Sequence, residues 1–446
     1  MNEPMRRGAC PRLAAPMPTG DGLLARLAPV GTVGLGAMAA LCGSARRHGN
    51  GIIEITRRGS IQIRGLTEKS AALLADDIAA LDIETADGVP VVTGPLSGLD
   101  PTEAADADEL AATLRAALAA ERLKLGPKIA VAIDGGGVLG LDPLGFDVRL
   151  RAVVHRGAIV WHVAVGGTAA QSCALGVIAP GRAVDVVTSL LKTVAAHGSA
   201  ARAVDLLRVR DDSLRRAVPG WVADAPAPPL RRPVDAIAIH AGRNGCVMLG
   251  LGLPFGHVRA AALERLIDAA QAAGASGARL SPGRVLLFVG LAPGAAGTLR
   301  AAAARLGFVI RSDDPRRFVA ACAGAPICGS GVIAARDIGP VVADSAAPLF
   351  DGSVMIHVSG CVKGCAHSDP ATLTFVGTGD GCGLVVDGSA RDRPAMSLAI
   401  EALPAAVGRL AAELARVRRL GETSAEVLAR VGAARVAAIV AEACHG

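Results

Sequence analysis

An internally duplicated α+β protein, with mixed sheets and helices in a pseudo-twofold A–B–A′–B′ order, is the fold this sequence predicts. Two long-range matches carry the prediction. GNGIIEITRRGSIQIRGL, ending at Leu66, aligns with GASGARLSPGRVLLFVGL, ending at Leu291, at an offset of 225 residues (290 − 65 for the shared glycine). IAVAIDGGG aligns with MIHVSGCVK at the same offset, placing Gly135 opposite Gly360. One offset recurring at two separate places implies duplication. Within each copy, helical and strand periodicities alternate, and mixed sheets covered by helices satisfy that order.

The elements follow in chain order. The first A unit spans 14–75, with TVGLGAMAALCGSARRHG as a helix and EITRRGSIQIRG as a strand. The B unit spans 88–210. It opens on a strand and a Gly-rich turn, continues through FDVRLRAVV and AIVWHVAV, and closes on the helix AVDVVTSLLKTVAAHG. DGGG, from Asp134 to Gly137, reads as the tight turn of that unit. VADAPAPPLRRPVD, within 211–236, is Pro-rich and reads as a linker. The A′ unit spans 237–300, where HVRAAALERLIDAAQAAG sets Leu263, Leu266 and Ile267 on one helical stripe. The B′ unit spans 301–446 and ends on SLAIEALPAAVGRLAAELARV as its helix.

Composition excludes several classes. A chain of 446 residues that is 51% hydrophobic and 19% charged has the apolar surface for two to four packed units and is not disordered. With seven Phe, two Trp and no Tyr, it lacks the stacking platforms of single-strand nucleic-acid binders. A net charge of +6 suits an anionic small molecule and is too weak to argue for DNA. MNEPMRRGACPRLAAPMPTG has no apolar run of the signal-peptide kind, and LAPVGTVGLGAMAALCGSA is broken by Gly and Pro and falls short of a membrane span. A cytoplasmic protein without nucleic-acid or membrane partners is expected, and there ten cysteines are reduced thiols for metal or redox work.

Four of those cysteines form two tight pairs, Cys322 with Cys328 in CAGAPICGSG and Cys361 with Cys365 in HVSGCVKGCAH. A thiolate quartet holds zinc or an iron–sulfur cluster. The five-residue gap of the first pair fits structural zinc poorly. Gly329, Gly331, Gly360 and Gly364 leave backbone amides that a cluster uses as donors to sulfur. Cys10, Cys42, Cys173, Cys246, Cys382 and Cys444 are isolated and read as structural or incidental.

On an ideal strand, alternation puts Thr56, Arg58, Ser60, Gln62 and Arg64 on one face and Ile61 and Ile63 on the other. The aligned face of the second copy reads Ser281, Gly283, Val285, Leu287 and Val289. One copy is cationic and its twin mostly apolar, a divergence that structure alone does not demand. Guanidinium forks at Arg58 and Arg64 suit carboxylates; the alternative is an ordinary solvated strand face. Arg57 falls on the opposite face and is excluded.

The C-x5-C and C-x3-C pairs inside a duplicated chain resemble the nitrite and sulfite reductase family, which carries sirohaem beside a 4Fe–4S cluster. TRRGSIQIRG resembles that family's tetrapyrrole-binding strand, with Arg58 in the position of its Arg. LGPKIAVAIDGGG resembles its Lys-bearing segment, with Lys128 matching the first Lys. The resemblance spans nearly the whole chain and implies a nitrite/sulfite reductase-like fold whose A units are ferredoxin-like half-domains. It implies Cys322, Cys328, Cys361 and Cys365 as 4Fe–4S ligands, and Arg58, Gln62, Arg64 and Lys128 as residues holding a tetrapyrrole. Two departures stand out. Ala130 replaces the second Lys, and VVTGPLSGLDP stands where the assimilatory reductases carry an Arg-Asn segment. Those losses argue against six-electron reduction of sulfite or nitrite, which needs proton donors around the anion.

GDGLLARL and HVSGCVKGCAH look most like the branch of the family that oxygenates a cobalamin precursor. That branch implies precorrin-3A and O2 as substrates, a hydroxyl placed at a meso carbon, and closure of a γ-lactone. It also implies a non-haem iron and NADH-derived electrons. GTVGLG, at Gly31 to Gly36, is a poor dinucleotide fingerprint and reads as a loop, so electrons come through a separate reductase. The alternative is a sirohaem-dependent assimilatory sulfite or nitrite reductase. For catalytic roles, Lys363 faces either the open iron or solvent, and His367 either ligates iron or caps a turn.

Overall fold

The computed structural model describes residues 11–85, 88–126, 128–210, 212–218, 220, 225–367 and 369–442; Cys10 and Cys444 lie outside them. The A unit holds β1 (Met17–Thr19), β2 (Gly22–Leu27), α1 (Leu35–His48), β3 (Ile52–Ile55), β4 (Ile61–Leu66) and α2 (Glu68–Ala79). The B unit holds β5 (Val91–Thr93), α3 (Ala107–Glu121), β6 (Val131–Asp134), β7 (Val148–His155), β8 (Ala158–Val165), β9 (Cys173–Ile178) and α4 (Ala183–Ala196), followed by the short α5 (Ala203–Arg208) and α6 (Ser213–Arg216). The A′ unit repeats the first set as β10 (Ile239–Ala241), β11 (Val247–Gly252), β12 (His257–Arg259), α7 (Ala260–Ala272), β13 (Gly277–Ser281), β14 (Val285–Leu291) and α8 (Pro293–Arg305). The B′ unit holds β15 (Val319–Ala321), α9 (Ala335–Ser345), β16 (Ile356–Ser359), β17 (Ala371–Thr378), β18 (Gly381–Gly388), β19 (Met396–Leu398), α10 (Leu403–Val417), α11 (Ser424–Val431) and α12 (Ala433–Glu442).

The offset of 225 read from the sequence recurs in three dimensions. β2 and β11 begin at Gly22 and Val247, and β6 and β16 at Val131 and Ile356. The aligned glycines Gly65 and Gly290 both adopt positive φ, +72° and +75°. A Cβ at either would run into the chain before the hairpin, at Asn50 (2.7 Å) or Ser276 (2.3 Å), so both copies keep the residue that tolerates this conformation. The B and B′ sheets share one topology, β5-β6-β7-β8-β9 and β15-β16-β17-β18-β19, with the first three strands parallel and the last two antiparallel.

The two A units close over a shared core. β12, just before α7, pairs with β3 of the first copy, Val258 opposite Ile53. Val33, just before α1, bridges to Ala278 of the second copy. Leu41 of α1, Leu74 of α2, Leu266 of α7 and Phe288 of β14 are fully buried in one cluster drawn from both copies. Helix stripes supply this core, Ala71, Leu74 and Ile78 on α2 and Leu263, Leu266 and Ile267 on α7. Among the described residues no helix is long and apolar enough to cross a membrane.

Several sequence expectations shift, beginning with the A and A′ bounds at 75 and 300, which α2 and α8 overrun to Ala79 and Arg305. EITRRGSIQIRG is a hairpin: Thr56 N donates to Ser60 O (2.8 Å) and Gly59 turns at φ +80°. Thr56, Arg58 and Ser60 therefore sit in the turn, and only Gln62 and Arg64 share a strand face. SPGR turns β13 into β14 in the same way, with Gly283 at φ +83°, so its aligned face is also interrupted. Positive-φ turn residues outweigh alternation at both places. The helices of A′ and B′ start later than their periodicity suggests, because His257–Arg259 and Met396–Leu398 are taken as sheet edges. GTVGLG is a loop only through Gly34, where it contains the Val33 bridge; Leu35 and Gly36 already open α1. The Pro-rich linker is pinned: Arg231 donates to Asp142 (2.8 Å), to the Gly137 carbonyl (2.9 Å) and to Asp134.

Phe288→Ala tests the shared core. Removing this ring costs about 3–5 kcal/mol and destabilises both A units in one denaturant transition; a loss below about 1 kcal/mol, or separate transitions, contradicts a common core.

Candidate functional site

Adjacent parallel strands bring the cysteine pairs together. β15 and β16 run side by side with Ala321 opposite Val358, so the loops leaving their carboxyl ends emerge together, the usual ligand-bearing end of such strands. Cys322 N continues the ladder to Val358 O (3.3 Å), and Gly360 N donates to Cys322 Sγ (3.0 Å). Burial pushes the Cys322 thiol up, against the pull of the Gly360 and Gly324 amides, with Cys361 and Cys328 adding to the rise. Burial also raises Cys365, which feels Cys322, Cys361 and Cys328 while Arg64 opposes. Cys365 thus lies within electrostatic reach of the other three predicted thiols. Among the described residues no three His, Cys, Asp or Glu side chains close on a single-ion site.

The first half of the chain presses on these loops. The β1–β2 turn, in GDGLLARL, meets the first cysteine loop, where Gly329 N donates to Gly20 O (2.7 Å). A Cβ on Gly20 would stand 2.2 Å from Cys328 Sγ, so only glycine allows this approach. The next residue, Asp21, holds Arg64 through two bonds, from Nε (3.0 Å) and Nη2 (2.8 Å). Burial alone would raise the Asp21 carboxyl, but the Arg64 hydrogen bonds and charge hold it below its ordinary 3.8.

A cavity of about 1340 Å³ opens where the A sheet, the B unit and the cysteine loops meet. It exceeds the roughly 300–1,000 Å³ of sites for drug-sized ligands. Arg58, Gln62, Arg64 and Lys128 all line it, as do Cys322, Cys365 and His367. Arg58 donates to the Gly145 carbonyl (3.2 Å) and lies over the Phe146 ring at 5.8 Å. Gln62 sits between Arg26, which donates to its amide oxygen (2.7 Å), and Glu54, which accepts from its amide nitrogen (3.2 Å). Arg64, with side-chain exposure of only 9%, is committed to Asp21 and Glu54, so its charge is already balanced inside the protein.

Other placements could not be read from spacing. Arg57, excluded by strand alternation, stands in the hairpin turn, lines the cavity and pairs with Asp369 across it (2.9 Å). Arg284, the offset mate of Gly59, reaches the Ala366 carbonyl (3.1 Å) from the other copy's turn. Lys363 is absent from the cavity wall; its Nζ donates to Ser330 (2.9 Å) and ties the two cysteine loops together. His367 lines the wall, with Nε2 3.4 Å from the Pro370 carbonyl. His357 is wholly buried, both ring nitrogens lack partners, and burial followed by His367 and Arg284 brings its pKa down to about 3. Cys42 and Cys382 are buried, with thiols pushed up to about 12 by desolvation.

The Asp21–Arg64 pair makes a pH prediction. A carboxylate whose folded pKa is depressed stabilises the fold above its unfolded pKa of 3.8. That stabilisation is lost as pH falls through the lower folded value. Asp21→Asn costs about 3 kcal/mol at pH 7, and the gap between the denaturation midpoints of variant and wild type narrows as pH is taken from 7 to below 3.8. An equal gap at both pH values contradicts the assignment.

Comparison with known proteins follows the same lines. Residues 15–81 match the nitrite/sulfite reductase ferredoxin-like half domain. The chain is 40% identical over 437 residues to Precorrin-3B synthase from Sinorhizobium sp, covering 97% of this chain and 94% of that protein. A more distant match, 26% identical over 175 residues, is to Sulfite reductase (ferredoxin) of Mycobacterium tuberculosis, covering 37% of this chain and 32% of that protein. The solved structure of the Mycobacterium tuberculosis NirA protein superposes with a TM-score of 0.73 at 18% identity, over 92% of this chain and 84% of that one. The chain belongs to the precorrin-3B synthase family and has the nitrite/sulfite reductase-like α+β fold.

Proposed function

We propose that this chain is a monooxygenase that converts precorrin-3A to precorrin-3B. One atom of O2 enters as a hydroxyl on a meso carbon, an acetate side chain closes the γ-lactone, and the other atom leaves as water. The two electrons required derive from NADH through a separate reductase. The observation that carries the reading is a single cavity whose wall combines Arg58, Gln62 and Lys128 with Cys322, Cys365 and His367. Cations suit the carboxylates of the tetrapyrrole, and thiols beside them suit a redox group.

Cys322, Cys328, Cys361 and Cys365 would hold the 4Fe–4S cluster, and the Gly360 N–H on Cys322 Sγ (3.0 Å) is the kind of donor that tunes such a group. When bound, the cluster supplies one-electron transfer. The non-haem iron finds no three-ligand set among the described residues, so no residue is assigned to it. The protein's own residues bind and orient. Arg58 and Lys128 engage substrate carboxylates, Gln62 offers a polar edge, and the Arg57–Asp369 pair spans the cavity. His367 is one of the wall groups able to accept a proton, with His257, Glu54 and Asp369. Ala130 also supports oxygenation over anion reduction. It is 1% exposed and packed with Leu141, Leu144 and Phe146, where a reductase's second lysine would have no solvent.

Anaerobically purified protein should contain about four acid-labile sulfides per chain with iron at least equal to the sulfide, and consume precorrin-3A only with O2 and a reductant. Intense sirohaem bands, or zinc without sulfide, would sink the reading. Arg58→Leu should weaken tetrapyrrole binding by roughly tenfold or more with cluster content unchanged; unaltered binding would make Arg58 a surface residue.

A further inference from the structure

Arg115 belongs to α3, outside every segment that the duplication or the resemblance brings forward, yet its side chain lines the cavity. Its Nη2 donates to the Val91 carbonyl (3.2 Å), and its Nε is buried without a partner. Among the described residues no carboxylate forms an ion pair with it. Glu84 and Asp108 act only at longer range, while burial, the larger influence, lowers its pKa.

Several other arginines of the wall have a carboxylate partner, whereas Arg284, like Arg115, bonds a carbonyl, that of Ala366. Arg57 is matched by Asp369, Arg64 by Asp21 and Arg202 by Asp147, while Arg279 bonds Thr32 and the Ser97 carbonyl with Asp108 at 3.6 Å. A guanidinium partly withdrawn from water without a counter-ion is unfavourable unless an anion arrives to complete it. A position held at that cost on a cavity wall points to the ligand. The neighbouring chain agrees: the Val91 carbonyl that steadies Arg115 begins β5, and Val91–Pro95 lie on the same wall as Lys128.

We propose that Arg115 is a specificity residue that binds a side-chain carboxylate of the tetrapyrrole from the first-half wall, with Lys128, and so fixes which edge of the macrocycle faces the thiols. This rests on the tetrapyrrole reading above. The chemistry it selects is a free carboxylate at the macrocycle's rim, since an amidated or esterified rim would leave the guanidinium uncompensated.

The test uses uroporphyrin, a stable tetrapyrrole polycarboxylate, with fluorescence titration of the full chain at two ionic strengths. Arg115→Gln should weaken binding by about tenfold or more and flatten its salt dependence, and Arg115→Lys, which keeps the charge, should recover most of it. Without ligand, Arg115→Gln should melt at or above the wild-type temperature with unchanged iron and sulfide, because an uncompensated charge has been removed. Binding by Arg115→Gln within about twofold of wild type would overturn this inference and leave the tetrapyrrole reading standing. A lower melting temperature alongside lost binding would make Arg115 structural and also overturn it. If the wild-type chain binds no uroporphyrin, both fall together.

Discussion

A reciprocal exchange of short β-pairings sets the rest of the molecule. Val33 N donates to Ala278 O (2.8 Å), and Ala278 N returns a bond to Val33 O (2.9 Å). At positions 225 later and 225 earlier, Val258 stands opposite Ile53. Each copy thus lends the segment before its helix to the edge of the other copy's sheet. Neither A sheet then has a free edge at that side, and neither helix face is buried without the other copy. The consequence for the site is geometric. With the two A units locked, the turns of the first copy are carried onto the loops of the second: Gly20 against Cys328, and Arg57 against Asp369. A slip of one residue in either pairing would move those turns by about 3.3 Å and reverse every side chain on the strand.

Onto that symmetric frame the two copies have placed opposite chemistry. Where B′ carries Cys361, B carries glycine in the DGGG turn. Where A carries Gln62 and Arg64, A′ carries Leu287 and Val289, both buried in an apolar cluster. The exchange is not complete, because Arg279 and Arg284 of the second copy also reach the cavity. The polar face of the A sheet works as a relay of matched charges. Arg26, Gln62, Glu54, Arg64 and Asp21 follow one another across β2, β4 and β3, ending at the turn that abuts Cys328. Its rigidity comes from pairing, and the cations left for a ligand are those outside it.

Much of this was legible in the sequence. The repeat offset follows from glycines whose backbone angles admit no other residue, so it survived divergence at both Gly65 and Gly290. The cysteine quartet is a local pattern on adjacent parallel strands, and its convergence needed only the B′ topology. Three features were not legible, for physical reasons. The TRRGS turn reads as alternation until Gly59 is known to have positive φ, and that misplaced Arg57. The balance of charge on Arg64 depends on Asp21, more than forty residues earlier and on another strand. Arg115 has no motif at all: what distinguishes it is a buried Nε without a partner and, among the described residues, no carboxylate ion pair, which is a property of packing.

As proposed above, one half's thiols and the other half's turns enclose a single redox site. Iron-edge anomalous scattering from anaerobically grown crystals tests it most directly. One compact four-iron peak is expected within bonding distance of the sulfurs of Cys322, Cys328, Cys361 and Cys365, beside the Gly20 turn and open to the cationic cavity. A single zinc peak on those sulfurs, or iron bound elsewhere with the four thiols free, would contradict it.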